Sequence, residues 1–398
     1  MLQLDAVQTL ALAGIALFLG YGLCRWVPVL GKYNLPPPVV GGLVFAIAVW
    51  IAHARDTTLF VLDTSLQTPL MIAFFTTIGM NASLRLLRIS GTQVIIFLGL
   101  ASAFAVFQNL LGMAVAEGFD LHPLFGVLAG STTLTGGPAT GLAFAPLFEE
   151  AGVTGAESIA VASAMAGIVL GGLVGGPAIT VLIRRFRLSA SREEAHAAPD
   201  SETTGDAAQT EAAREFSALK AIVTLLIAMW LGAWVSGWIS ATGITLPAYV
   251  GAMLVGAAIR NLDDRTGWIG LPVPTTDLIG NVCLALFLSV ALMNLKLWEL
   301  AGLALPLMLN LVLQVGAVVA FCIVVYRVMG RDYDAAIMGG GFIGFMLGTT
   351  ANAMAVMKAL VERYGAAPRA FLVAPLVGAF FIDFTNALII TGFINFWS

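Results

Sequence analysis

Two apolar stretches of this chain are interrupted in the middle by glycines and hydroxyl residues. The first, at 130–141, reads Gly-Ser-Thr-Thr-Leu-Thr-Gly-Gly-Pro-Ala-Thr-Gly and lies between apolar runs at 123–129 and 142–148. A helix needs about 20 apolar residues to cross a bilayer, so neither run can cross alone. Non-helical backbone at membrane depth is tolerated only where it is buried in protein or lines a watery cavity. The stretch predicts either a re-entrant hairpin whose tip holds a solute or a seam of small residues between packed helices.

The second interrupted stretch, at 338–355, favours the hairpin interpretation. It reads Met-Gly-Gly-Gly-Phe-Ile-Gly-Phe-Met-Leu-Gly-Thr-Thr-Ala-Asn-Ala-Met-Ala and occupies a matching place in the second half of the chain. Paired interrupted segments of this kind are typical of membrane transporters, where they indicate the binding site.

Composition places the whole chain in a membrane. Only 11% of its 398 residues are charged and 59% are hydrophobic, with a mean hydropathy of +0.94, whereas a soluble domain carries about 25% charged residues. The net charge of −4 argues against a nucleic-acid partner. Three cysteines without paired spacing predict neither a disulfide framework nor a metal centre. Neither HExxH nor GxSxG is present, so we expect no enzyme activity.

The apolar runs predict an all-α integral membrane protein with ten crossings and two hairpins. The predicted helices lie at 7–23, 38–52, 69–84, 94–115, 158–183, 216–239, 246–258, 276–295, 300–328 and 370–394. The N-terminal half (1–186) contains a hairpin at about 121–150, and the C-terminal half (216–398) contains one at about 333–363. The segment at 187–215 is rich in Ala, Glu, Asp, Ser and Thr, a composition typical of a flexible linker.

Charge sets the expected orientation. With both termini outside and neither hairpin crossing fully, all of the 19 lysines and arginines except Arg55 and Lys296 fall on the inside. This distribution satisfies the positive-inside rule. It predicts a protein of the inner (plasma) membrane whose 187–215 linker is cytoplasmic.

The two halves resemble each other at an offset near 211, for example Gly41 with Gly251, Asn81 with Asn294 and Gly167 with Gly378. An odd number of crossings in each half inverts the second half in the membrane. Inverted repeats place substrate and ion sites at the repeat interface near the bilayer midplane. We therefore expect two inverted repeats of five helices and one re-entrant hairpin each.

One acid, Asp383, lies inside an apolar span, with Asn386 on the same helix face. An ionisable residue in such a span indicates a functional site, although a protonated carboxyl bonded to a neighbouring helix is the alternative. Four amides, Gln108, Asn109, Asn310 and Gln314, lie in the fourth and ninth helices and fit either a site or ordinary interhelical bonding.

The hairpin tips offer backbone N–H groups for a carboxylate and oxygen atoms for a hard cation. No Walker-A sequence is present, so transport has to be driven by an ion gradient. The residues predicted to bind substrate are Ser131, Thr132, Thr135, Gly136, Gly137, Thr140, Gly141, Gly340, Gly341, Gly344, Asn352, Asp383 and Asn386. Those predicted to hold the coupling cation are Asn81, Thr133, Thr135, Asn294, Thr349, Thr350 and Asp383.

Several strings resemble the bacterial sodium/glutamate symporters over essentially the whole chain. They are Leu-Pro-x-Pro-Val-Val-Gly-Gly at 35–42, Pro-Leu-Met-x-Ala-Phe-Phe-x-Thr-Ile-Gly-Met-Asn at 69–81, Leu-Ala-Gly-Ser-x-Thr-Leu-x-Gly-Gly at 128–137, Leu-Lys-Leu-Trp-Glu-Leu at 295–300, Tyr-Asp-Ala-Ala at 333–336, Pro-x-Val-Gly-Ala-Phe-Phe-Ile-Asp at 375–383 and Asn-Ala-Leu at 386–388. The resemblance implies L-glutamate as substrate, Na⁺ as coupling ion with no other cofactor, a homodimer, and elevator-like movement of a transport domain.

Two departures from the family's pattern fall in the hairpins. The first loop typically reads Gly-Gly-His-Gly-Thr-Gly, whereas 136–141 here reads Gly-Gly-Pro-Ala-Thr-Gly. The second keeps its glycine frame at 341–353 but lacks the typical His and Pro. Another amino acid or a dicarboxylate, with sodium or proton coupling, is the alternative function. A passive channel or a structural membrane protein accounts less well for polar groups concentrated at two tips and one helix.

Overall fold

The computed structural model describes residues 2–33, 35–55, 57, 60–89, 91–189, 211–242, 246–300 and 302–397. The α-helices of these residues are α1 (Ala6–Trp26), α2 (Pro28–Lys32), α3 (Pro37–His53), α4 (Gln67–Asn81), α5 (Leu84–Ile89), α6 (Thr92–Gly118), α7 (Pro123–Val127), α8 (Gly137–Glu150), α9 (Ala156–Phe186), α10 (Glu211–Ser240), α11 (Ala248–Thr266), α12 (Val273–Met293), α13 (Ala304–Val328), α14 (Tyr333–Met346), α15 (Thr350–Tyr364), α16 (Pro368–Leu376) and α17 (Ile382–Trp397). Two π-helical segments, Leu128–Thr132 and Val377–Phe381, and a 3₁₀ turn at Leu297–Leu300 complete the helical structure.

A helix occupies each of the ten segments predicted to cross. Among the described residues, α1, α6, α9, α10, α12 and α13 are long and apolar enough to span a bilayer on their own. The chain is therefore a multi-pass membrane protein. The other four predicted crossings are shorter, more polar or, at 368–397, divided by a π-helical segment.

The predicted 187–215 linker falls mostly on positions 190–210, outside the described residues. Its last residues belong to α10, which begins at Glu211 rather than at 216. A feature absent from the sequence prediction is a short parallel pair of strands, β1 (Leu2–Leu4) and β2 (Phe60–Leu62).

Side-chain caps set several helix starts. Asp5 and Gln8 form a reciprocal capping box at α1, with Gln8 N donating to Asp5 Oδ1 over 2.8 Å. Asp332 accepts from Ala335 N at the start of α14, and Thr349 accepts from Asn352 N at the start of α15. These caps satisfy backbone N–H groups that a helix cannot bond internally.

The helices pack into two bundles. The first bundle contains α1, α3, α4, α10, α11 and α12, and the second contains α6 to α9 and α13 to α17. Close backbone crossings hold the first bundle together, because a Cβ at Gly41 would collide with the carbonyl oxygen of Ala16 and one at Gly251 with Ser236 Oγ. Gly41 and Gly251 are the pair that the sequence offset matched.

Aromatic side chains fill the boundary between the bundles. Tyr249 of α11 packs between Phe75 of α4 and Phe144 of α8, with ring centroids 5.0 and 5.1 Å away. The last helix, α17, also lies at this boundary and contacts α4 and α11 on one side and α6, α7 and α8 on the other. Helix α17 therefore lies directly next to α7 and α8, which belong to the first hairpin.

Candidate functional site

The first hairpin consists of α7, the π-helical segment Leu128–Thr132 and α8. The arm that precedes its tip is broken at Gly130. This residue has φ −101° and ψ −127°, outside helical values. The break exposes carbonyl groups, and side chains from other helices bond them. Asn310 Nδ2 donates to Ala129 O over 2.7 Å, and Asn386 Nδ2 donates to Ser131 O over 2.9 Å. The broken helix is stable because neighbouring side chains satisfy the backbone groups that the break leaves open.

Two further bonds fix the turn before the tip. Asn109 Oδ1 accepts from Ser131 N over 2.9 Å, and Thr133 Oγ1 donates to Leu128 O over 2.8 Å. Helices α6, α13 and α17 thus each contribute one amide to hold this arm.

The tip itself spans Thr135 to Gly137, and it touches the second hairpin. Gly137 has φ +68°, a left-handed conformation that glycine adopts without strain. A Cβ at this position would lie 3.5 Å from Gly348 O and 3.8 Å from Thr349 Cγ2. Because 347–349 is the turn between α14 and α15, the tips of the two hairpins meet in the structure.

Gln108 of α6 connects both hairpins. Its Oε1 accepts from Thr135 Oγ1 over 2.6 Å, and its Nε2 donates to Met346 O over 2.9 Å. Gln314 of α13 in turn donates through Nε2 to the backbone oxygen of Gln108 over 2.7 Å. The side chains of Gln108, Thr135 and Gln314 are all buried. The buried polar network therefore joins the ends of two hairpins through one amide.

The second hairpin is anchored at the start of α15. Thr350 Oγ1 donates to Gly378 O in the second π-helical segment, and Asn352 Nδ2 donates to Ile168 O in α9 over 2.8 Å. A helix begins at the tip of each hairpin: α8 begins at Gly137 and α15 begins at Thr350. The partial positive charge at such ends favours an anion.

Among the described residues, seven buried side-chain polar atoms without a hydrogen-bond partner belong to the hairpins or to helices that contact them. Almost all buried polar groups in proteins are hydrogen-bonded, so each exception needs an explanation. Most of these atoms are oxygens, the ligands that hard cations prefer. They are Asn109 Nδ2, Ser131 Oγ, Thr132 Oγ1, Ser163 Oγ, Gln314 Oε1, Asn352 Oδ1 and Asn386 Oδ1.

Asp383 lies one helical turn before Asn386 on α17 and is half-buried. Among the described residues no hydrogen bond or ion pair to its carboxylate is found. Asn386 reaches Ser131 of the first hairpin, so α17 presents Asp383 near the same broken arm.

The structure brings together part of the predicted site. Ser131, Thr132, Thr133, Thr135, Gly136, Gly137, Thr349, Thr350, Asn352 and Asn386 lie at the two tips or bond to them. Thr140 and Gly141 lie in the first turns of α8, where a Cβ at Gly136 would meet Thr140 and one at Gly141 would meet Thr133.

Other predicted residues lie elsewhere. Helix α14 continues through Gly340, Gly341 and Gly344 to Met346, so these glycines lie in an arm of the second hairpin and not in its turn. A Cβ at Gly340 would lie 3.0 Å from Leu360 Cδ1, one at Gly341 2.6 Å from Met357 Sδ, and one at Gly344 would clash with Ala353 of α15. These glycines allow close packing of the hairpin arms.

Asn81 and Asn294 are not brought together. Asn81 Nδ2 donates to Asp277 Oδ1 over 2.5 Å near the start of α12, whereas Asn294 is exposed and follows the end of the same helix. The helix rise separates positions 277 and 294 by about 25 Å. Their predicted role as ligands of one cation therefore has no common location in this structure.

A multi-pass membrane protein in which interrupted helices surround buried, unpaired polar groups has the construction of a secondary transporter. The family model of the sodium/glutamate symporters matches residues 2–366. A sodium/glutamate symporter of Escherichia coli (strain K12) is 42% identical over 98% of this chain and 97% of its own length. That of Haemophilus influenzae is 38% identical over 96% and 95%. The chain belongs to the sodium/glutamate symporter family, which confirms the predicted resemblance.

The left-handed turn at the first tip provides a testable prediction. Replacing Gly137 with alanine forces a Cβ into φ +68°, at a cost of about 1–2 kcal/mol, beside Gly348. We expect weaker apparent substrate affinity in uptake assays with little change in expression. Gly267→Ala is the matched control, because Gly267 has φ +66° and ψ 12° with nothing within 4 Å of an added Cβ. Equal affinities in the parent and both variants would contradict a binding role for the tip.

Proposed function

We propose that this protein is a secondary transporter that imports L-glutamate together with Na⁺ across the inner membrane. The observation that supports the proposal most strongly is the meeting of the two hairpin tips inside a buried polar network. Family membership supplies the substrate and the ion, since the relatives bear the name sodium/glutamate symporter.

In this proposal the substrate carboxylates bind at the N-termini of α8 and α15. In the predicted topology no lysine or arginine lies in the middle of a membrane span. The backbone N–H groups near Gly137 and Thr350 therefore provide the positive potential. The α8 N-terminus suits this role because no side chain caps it. Asp383 of α17 receives the substrate ammonium group or the coupling cation, on the side of the substrate away from these N-termini.

Na⁺ binds to oxygen atoms that lack a protein partner. Such atoms are Ser131 Oγ, Thr132 Oγ1 and Asn386 Oδ1. They belong to, or directly follow, the two residues whose hydrogen bond joins α17 to the first hairpin. A cation there stabilises the broken arm in the form that the substrate needs, which couples the two binding events.

The movement that we propose is an elevator-like displacement of the second bundle against the first. The aromatic packing of Tyr249 on Phe75 and Phe144 supports it, since rings at a boundary can slide without breaking hydrogen bonds. Helices α1, α3, α4 and α10 to α12 form the static part, and the hairpins move with α6, α9 and α13. The two halves act as inverted repeats, and a homodimer holds the static parts together.

Uptake by proteoliposomes tests this function. Purified protein with an imposed inward Na⁺ gradient should accumulate labelled L-glutamate, and a proton gradient alone should not drive uptake. A panel of labelled aspartate, other amino acids and dicarboxylates separates glutamate from the alternative substrates. Equal uptake without any gradient would contradict symport and favour a passive pore.

A further inference from the structure

One pocket is lined by residues of α5 and α11 and contains no residue of either hairpin. It has a volume of about 380 Å³ and is formed where α5 meets the C-terminal end of α11. Its lining contains three arginines, one aspartate, one asparagine and one leucine. These are Leu84, Arg85, Arg88, Asn261, Asp264 and Arg265.

The described carboxylates do not neutralise the three arginines of this pocket. Asp264 pairs with Arg260, whose Nε lies 3.0 Å from Oδ1, and it also accepts a hydrogen bond from Ser83. Within the described part of the chain, no carboxylate lies within 4 Å of the Arg85, Arg88 or Arg265 guanidinium. Three like charges around one cavity repel each other, and a bound anion would relieve that repulsion.

Hydrogen bonds between the α4–α5 turn and α11 hold the pocket in shape. Asn261 Oδ1 accepts from Leu84 N over 2.8 Å, and Asn261 Nδ2 donates to Ala82 O over 2.9 Å. Arg85 Nη1 donates to the backbone oxygen of Asp264 over 3.4 Å. The arginines are therefore presented by two elements whose relative position is fixed.

Exposed apolar side chains in the pocket lining or close to it in sequence favour a lipid over a free ion. Leu84 is 51% exposed, Leu262 55% and Trp268 85%. Exposed tryptophan beside arginine is typical of the membrane–water interface. All three pocket arginines belong to the side predicted to be cytoplasmic, where basic pockets between helices bind anionic headgroups.

We propose that this pocket binds the phosphate group of an anionic phospholipid. The guanidinium groups of Arg85, Arg88 and Arg265 contact the phosphate, and the acyl chains lie along the apolar surface near Leu262. Because α11 belongs to the first bundle, the lipid fixes that bundle at the inner leaflet. The proposal does not depend on the identity of the transported solute.

Native mass spectrometry of the full-length protein in detergent tests the lipid site. The probes are phosphatidylglycerol and phosphatidylcholine with the same acyl chains, and inorganic phosphate. We expect a preference for phosphatidylglycerol. Each arginine near a membrane surface contributes about 1 kcal/mol, so the triple variant Arg85→Gln, Arg88→Gln, Arg265→Gln should bind phosphatidylglycerol about a hundredfold more weakly.

A matched triple variant controls for total charge. Arg187→Gln, Arg327→Gln and Arg363→Gln remove three exposed arginines outside the pocket, and this protein should bind like the parent. If the pocket triple variant fails to assemble, the single variant Arg88→Gln should still show about a fivefold loss. Unchanged lipid affinity in the pocket variants would overturn the proposal. Arginine-dependent binding of inorganic phosphate as tight as that of the lipid would also overturn it, since it would assign a free-anion site.

Discussion

Replacing Asp383 with asparagine is expected to lower sodium-driven glutamate uptake by about a hundredfold, because losing a charged hydrogen-bond partner costs up to about 3 kcal/mol. The carboxylate lies on α17 beside the first hairpin and has no partner among the described residues, so it is available to a cation or an ammonium group. The measurement is uptake by proteoliposomes against substrate and against Na⁺.

Asp120→Asn makes the same chemical change at an exposed turn residue with φ +54°. Asparagine tolerates this left-handed conformation, so the control should transport like the parent. An Asp383→Asn protein that keeps normal uptake and the parent's sodium dependence would show that Asp383 has only a structural role.

The second large effect is expected at Gln108. Leucine at this position leaves Met346 O without its donor, and Thr135 Oγ1 keeps only the weak acceptor Met346 Sδ at 3.3 Å. Each buried group left unpaired costs about 1–3 kcal/mol. We expect a lower Tm in detergent and a weaker apparent affinity for glutamate, because the amide joins both hairpin tips.

Gln67→Leu provides the control for Gln108, since Gln67 is half-buried at the start of α4 and lies outside the polar network. This variant should keep the parent's Tm and affinity. A Gln108→Leu protein with unchanged Tm and affinity would mean that the bridge between the hairpins is not formed in the membrane.

The interrupted stretches predicted the two hairpins because length and apolarity are local properties of the sequence. The position of the second tip was harder to predict. Glycines serve both in turns and in close packing, and those at 340 and 341 face side chains of α15 and α16. The true turn, at 347–349, contains a single glycine followed by the threonine that caps α15.

The buried amides show a second property that the sequence does not predict, namely the partner of each side chain. Gln108 and Gln314 were recognised as polar residues in apolar helices, but helical periodicity does not tell which neighbour an amide meets. The bond of Gln108 to Met346 O and the bond of Gln314 to the backbone oxygen of Gln108 each join positions more than 200 residues apart. Asn81 and Asn294 were matched by the repeat offset. The offset does not report location, because Asn81 bonds to Asp277 near the start of α12, whereas Asn294 follows the end of that helix.

Thiol modification at the second hairpin tip tests most directly whether the tips form the site. In a background with Cys24, Cys283 and Cys322 replaced by serine, Thr349→Cys should react with a small maleimide. We predict that glutamate with Na⁺ slows this reaction several-fold, while glutamate in K⁺ medium does not. Thr266→Cys, exposed at the end of α11, should react at the same rate under all conditions. If glutamate with Na⁺ leaves the rate at Thr349→Cys unchanged, the solute does not bind between the hairpin tips.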